Sequence, residues 1–197
     1  DCRDAIGCSR QQHSASMAQI HSRSVIDRLN MIPSATTTTV IEIDRTPDVS
    51  QAVDVIWLRD HLVRAVRELK KTVSRVGISL VDDAEMIRLH TRHMNLDTTT
   101  DILTFQLSES GRPIDVDMAL CVDEASRQAE QHHHTIEREL LLYAVHGLLH
   151  CCGFDDHDEV GYTAMHIEED RILTTIGVGP TFVPPREAAN DDRRPRK

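Results

Sequence analysis

Aromatic residues are scarce in this chain of 197 residues: one Trp, two Tyr and three Phe. A core must therefore be built from aliphatic side chains, and a 40% hydrophobic content suffices for one domain with tails. No apolar run is long enough to cross a bilayer as a helix. No positive, apolar, small-residue stretch of signal-peptide type stands at the start. Both absences lead to the expectation of a cytoplasmic protein with no membrane partner. The chain begins at Asp1, and Met17 and Met31 are candidate starts. A disulfide framework is lacking too, since Cys2, Cys8, Cys121, Cys151 and Cys152 are odd in number and irregularly spaced. Positive charge is short: the net charge of −10 argues against a broad basic surface for nucleic acid. An RNA reader would need a local basic groove or the help of a larger assembly. The exception is the far end, where Arg186, Arg193, Arg194, Arg196 and Lys197 make a basic tail.

What is present is concentrated in residues 139–157, ELLLYAVHGLLHCCGFDDH. Leu140, Leu141, Leu142, Ala144, Val145, Leu148 and Leu149 make a segment apolar nearly all round, which suits a helix buried in a core. His146 and His150 interrupt it. Four residues apart, they lie one turn apart on one helix face and can grip one metal ion. Left without a ligand, two imidazoles in a dry core would be costly. Gly153 offers the left-handed conformation that ends a helix. The run Phe154, Asp155, Asp156, His157 can then turn back, so that either Asp156 or His157 supplies a third ligand and a fourth position stays open for water. Cys151 and Cys152 read as packing at the helix end. The triplet His132, His133 and His134 reads as a solvated helix end, because consecutive helix residues point about 100° apart.

The segment HGLLHCCGFDDH resembles the signature HGxLHLxGYDH of the YbeY family of metal-dependent endoribonucleases. In that family the third ligand falls six residues after the second His, which here is Asp156, with His157 as the adjacent alternative. A second segment, LHTRHMNLDTTTDILTF from Leu89 to Phe105, is similar to the family pattern LNxxYRxxDxPTDVLSF. Leu89, Asp97, Thr100, Asp101, Leu103 and Phe105 match, and Thr99 replaces the Pro. Met94 stands where the family has an Arg important for RNA cleavage. Met cannot neutralise charge on a phosphate; Arg92, His90 and His93 are the nearby candidates to do so. A third resemblance, DVDMALCV to LGDIVI, puts Asp117 on a family Asp, either ordering the site from behind or serving as a plain strand-end polar residue. Glu139 matches a family Glu seven residues before the first ligand.

Read in order, residues 1–35 are polar and aperiodic, expected to be a disordered extension with at most a short helix from Met17 to Leu29. A strand is expected over Val40–Asp44. A helix is expected to start at Pro47, Asp48 or Ser50 and run to about Lys71, with Val55, Leu58, Leu62 and Leu69 on its apolar face. Then come a strand from Gly77 to Val81, a helix capped by Asp82 or Asp83, strands from Ile102 to Leu107 and Asp115 to Val122, and a helix from Asp123. Thr135 caps the metal helix, and a last helix covers 158–175, with Glu168, Glu169 and Asp170 taken as solvated. The fold class is α+β, one domain over 36–177, with a mixed β-sheet and helices packed around a central metal-binding helix. A disordered basic tail is expected over 178–197.

The resemblance implies a zinc-dependent endoribonuclease with one Zn2+ ion, specific for single-stranded RNA, acting in ribosomal RNA maturation at the 16S 3′ end and in ribosome quality control. It implies ribosomal RNA and small-subunit ribosomal proteins as partners, and not DNA. The residues expected to carry the chemistry are Arg92 and His146, with the metal held by His146, His150 and Asp156 or His157. A metal-stapled ribosome-assembly factor that does not cut RNA is the alternative, strengthened by Met94. A thermolysin-like metalloprotease would have Glu next to the first His, where this chain has Gly147. A zinc nucleobase deaminase is disfavoured by the lack of the HxE and PCxxC pairing.

Overall fold

A computed structural model describes residues 38–181. The expected N-terminal extension, its short helix and the basic residues from Arg186 onward lie outside the described residues. The elements are β1 (Val40–Arg45), α1 (Val55–Glu68), β2 (Val73–Val81), α2 (Asp83–Met94), β3 (Ile102–Gln106), β4 (Ile114–Cys121), α3 (Val122–His132), α4 (Ile136–Cys152) and α5 (Glu159–Thr175). This is the expected order of strands and helices. The four strands form one mixed sheet in the order β1-β2-β4-β3. β1, β2 and β4 run parallel, and β3 runs antiparallel to β4, with Leu103 opposite Ala119 and Phe105 opposite Asp117. The fold is therefore α+β in a single domain.

Side-chain alternation gives the sheet two unlike faces. Val76, Ile78 and Leu80 of β2 and Val116, Met118 and Leu120 of β4 join the main core, which α1, α3, α4 and α5 complete. Val81, Ala119, Cys121 and Leu103 form a smaller cluster with Met86 of α2 on the other face. α4 sits at the centre of the larger layer. It touches α1, α3, α5, β3 and β4, and Leu140, Leu141, Ala144 and Leu148 are fully buried along it. Burial of each such Leu contributes about 1.5–3 kcal/mol, so packing rather than local propensity holds this helix.

Two boundaries differ from expectation. α1 begins at Val55, because the Asp54 carboxylate accepts the Trp57 N–H (2.9 Å) and so outcompetes the earlier Pro47, Asp48 and Ser50. β2 begins at Val73 rather than Gly77. Its register against β4 shifts between Val73 and Arg75, and this bulge breaks the alternation that marks a strand.

Candidate metal centre

α4 is fixed at both ends. The Thr135 hydroxyl accepts the Arg138 N–H at 3.4 Å. At the far end Gly153, at φ 100°, donates to the His150 carbonyl, and Phe154 N–H reaches back to the Leu149 carbonyl. This reversal carries the chain past Asp155 and brings Asp156 back toward the helix. Gly161, in the first turn of α5, lets the loop come close. A Cβ there would stand 2.1 Å from the Asp155 carbonyl oxygen. Asp158 completes the turn by capping α5, its carboxylate accepting the Gly161 N–H at 2.7 Å.

His146, His150 and Asp156 converge as a result, with one donor atom from each lying within 4.8 Å of the others. The two Nε2 atoms face each other at 3.0 Å. Asp156 Oδ2 is 3.7 Å from His146 Nε2, and Oδ1 is 3.6 Å from His150 Nε2. His157 is more than half exposed and pairs with Asp155; it converges with Asp155 and Asp156 rather than with the two imidazoles in the second group of possible donors among the described residues.

The other ring nitrogens explain why the pair is unusual. His146 Nδ1–H donates to Glu169 Oε1 (2.7 Å), and His150 Nδ1–H donates to the Phe154 carbonyl (3.2 Å). When both rings are neutral, each imidazole keeps its lone pair on Nε2, and two acceptors point at one another. A proton or a metal ion between them relieves this. Four-coordinate zinc, with bonds of about 2.0–2.1 Å, spaces its donors about 3.3 Å apart; the triangle formed here by His146, His150 and Asp156 is close to that size. The residues present fit a metal ion.

Electrostatics agrees with the geometry. Burial pushes the His146 pKa down, but the hydrogen bond and charge of Glu169 outweigh it and leave His146 above its ordinary value. Burial and the neighbouring His146 push His150 down. Burial raises the Glu169 carboxyl, yet hydrogen bonds from His146 and His166 more than reverse this and keep it ionised.

Several expectations need correction. Glu169 is not solvated: it is 1% exposed, and its second oxygen accepts from His166 Nδ1 at 2.5 Å. Its place was readable, since it falls four residues after Met165 and three before Ile172 on the apolar stripe of α5. Asp117 does not reach the metal helix. It pairs with Arg75 at 2.6 Å on the opposite sheet face, where Arg75 also holds Asp115 and Glu42. His90, a candidate to meet phosphate charge, is buried, with Nδ1 bonded to the Thr98 carbonyl at 2.7 Å. His93 packs on Phe105. His134 leaves the solvated triplet to pair with the buried Glu139 at 2.9 Å. Met94 is partly buried against the small apolar cluster with Leu89 and Phe105, whereas Arg92 is exposed on α2.

Gly147 answers the protease reading sterically. A Cβ at this position would stand 2.6 Å from Thr104 Oγ1 and 2.8 Å from Ile102 Cδ1. The glutamate base of a thermolysin-like site has no room where α4 crosses β3.

Among the described residues, no helix is long and apolar enough to cross a membrane. The family model described as Endoribonuclease YbeY matches residues 43–177. An Endoribonuclease YbeY of Macrococcus caseolyticus is 33% identical over 113 residues, 53% of this chain and 73% of that protein. The Gloeobacter violaceus protein of the same name is 38% identical over 109 residues, 51% of this chain and 56% of that one. A solution structure from Thermotoga maritima aligns with 69% of this chain and 91% of its own, at 23% identity and a TM-score of 0.48. The family match runs from β1 to the turn after α5 and takes in His146, His150, Asp156 and Glu169; on it, the chain belongs to the YbeY endoribonuclease family.

Proposed function

We propose that this protein is a zinc-dependent endoribonuclease, specific for single strands, that acts in ribosomal RNA maturation at the 16S 3′ end and in ribosome quality control. The observation that carries the metal reading is the pair of facing Nε2 acceptors beside the Asp156 carboxylate. Family membership supports RNA as the substrate. Two neutral nitrogens and one carboxylate oxygen, with a fourth position for water, are a donor set suited to zinc.

In this reading His146, His150 and Asp156 are the ligands, and Glu169 holds His146 from behind. Held by these residues, an ion of this kind would supply a Lewis acid for a phosphoryl oxygen and an activated water near neutral pH. The chain adds position and charge. Arg92, exposed two residues before Met94, supplies the cation that stabilises phosphate charge in place of the missing family Arg. Ribosomal proteins of the small subunit are the partners that bring so acidic a chain to its RNA.

A second reading has its own observation. Met94 packs among apolar side chains, so the position where the family has its Arg holds no charge. The chain would then be a metal-stapled assembly factor that binds without cutting.

Metal analysis of the purified protein, with cleavage of single-stranded and duplex RNA in the presence and absence of chelator, tests both. One zinc per chain and chelator-sensitive cutting of single strands is the expected result. Arg92→Ala should lower the cleavage rate by about 10²–10³-fold, the scale of one lost charge-stabilising contact. Metal-loaded protein that binds RNA and never cuts it supports the assembly role.

A further inference from the structure

Glu169 is carried on α5 rather than on α4 or the loop that follows it, yet it is buried directly behind the three converging donors. Its two oxygens are divided between two imidazoles. Oε1 accepts from His146 Nδ1 and Oε2 accepts from His166 Nδ1. His166 is itself buried, and Tyr162 meets it edge-on with ring centroids 4.2 Å apart. Glu169 and His166 are three residues apart on α5 and so share one face of that helix. The carboxylate therefore has its position set by α5, while the imidazole it holds belongs to α4.

From this geometry we propose that Glu169 is a positioning residue for metal binding, and that His166 fixes Glu169 in the rotamer that does it. The proposal rests on the reading of His146, His150 and Asp156 as ligands. An ionised carboxylate accepts hydrogen bonds and does not donate them, so its presence beside Nδ1 forces the proton of neutral His146 onto Nδ1 and the lone pair onto Nε2. The opposite tautomer would turn an N–H toward the ion and could not bind it. The carboxylate also makes the imidazole a stronger donor by stabilising positive charge on the ring. His150 receives only a carbonyl in the same role, from Phe154. The two histidines are thus unequal, and His146 is the anchor. His166 takes up the second oxygen, which would otherwise be free to swing the carboxylate off His146.

The test uses the full chain stripped of metal and titrated with cobalt(II), whose visible absorption reports the ligand set, in competition with a chelator of known affinity. Glu169→Gln keeps the shape and removes the charge. Affinity should fall by about 10–100-fold, the range for losing such a partner. The thermal midpoint of the metal-free variant and its far-UV circular dichroism should stay near those of the parent. Nitrogen NMR of the His146 ring should show the Nδ1–H tautomer in the parent and a mixture in the variant. His166→Gln should give a smaller loss of affinity in the same direction. Unchanged cobalt affinity in Glu169→Gln overturns the proposal, as does a loss of metal-free stability that accounts for the whole change. Should Glu169→Gln not fold, Glu169→Asp keeps the charge and withdraws it by one methylene; affinity equal to the parent's then overturns the proposal. If the parent binds no cobalt, or if His150→Ala binds it as well as the parent, the ligand reading itself fails. A parent that binds and a Glu169→Gln variant that binds equally leave the ligands standing and remove only the role of Glu169.

Discussion

The two faces of the sheet each carry a knot of charged side chains, and the knots are opposites. On the open face Arg75 stands between Asp115, Asp117 and Glu42, and its donors are matched to their acceptors within the cluster. It is partly solvated, and the Asp117 hydrogen bond holds the guanidinium pKa above its usual value. On the covered face, His146 and His150 spend their N–H groups on Glu169 and on the Phe154 carbonyl, and then present two lone pairs to each other. Both clusters mix acids and bases at hydrogen-bonding distance, so proximity alone does not separate structure from chemistry. What separates them is the count of donors. The guanidinium of Arg75 turns its N–H groups on carboxylates, whereas the two Nε2 atoms of the neutral histidines face each other with no hydrogen between them.

The sharpest way to break this contrast is His150→Ala. With zinc at 100 times its dissociation constant, the parent gains about 2.7 kcal/mol of stability. For a domain of this size that is a rise of roughly 5–10 °C in Tm. The variant should show no rise, measured by thermal scans with and without zinc; a retained response would move the ion elsewhere. Next in size is Gly147→Ala. Better helix propensity contributes about 1 kcal/mol, but the new methyl overlaps Thr104 and Ile102, and overpacking costs about 1–3 kcal/mol. A net loss of about 0–2 kcal/mol is expected by urea unfolding, and a more stable variant would mean that β3 yields easily. The smallest effect belongs to Arg75→Met. Partly exposed ion pairs contribute roughly 0.2–1 kcal/mol, and the effect should fade with added salt. Zinc affinity should be untouched, and a measurable change in it would show that the two faces communicate.

Much of this was legible before the structure. The helices that carry the site announce themselves through caps: Asp82 accepts the Glu85 N–H, and Thr135 and Gly153 bracket α4. The four-residue spacing of His146 and His150 needs only helical geometry to become a pair of adjacent donors. What was harder to read depends on long-range packing. Glu169 sits in the acidic run 168–170 and looks like surface, and only the stripe of Met165, Ile172 and Leu173 shows which of the three turns inward. His90 lies between Leu89 and Thr91 and is buried, with its Nδ1 bonded to the Thr98 carbonyl of the loop after α2. Asp117 matches a family position, yet its parity along β4 points it away from α4, a fact that appears only when Met118 is found on the helix side. The start of α1 was lost among three earlier residues able to start a helix, Pro47, Asp48 and Ser50, and the start of β2 behind a bulge.

Gly147 has a consequence beyond excluding a glutamate. Where α4 crosses β3, the helix backbone lies close enough to Thr104 and Ile102 to leave no space for a methyl group. A helix seated so deeply cannot roll about its axis without driving its backbone into the strand. His146 is the neighbour of that contact and His150 lies less than one turn beyond it, so the two rings keep a fixed aim. A site of this kind does not reshape itself around each arriving ion. Calcium favours six to eight oxygens in flexible cages, and magnesium favours an octahedron of oxygens and water. Neither preference is met by a stiff pair of nitrogens. Discrimination among ions would then begin with a hydrogen atom on the adjoining flank of the helix, which no ion touches.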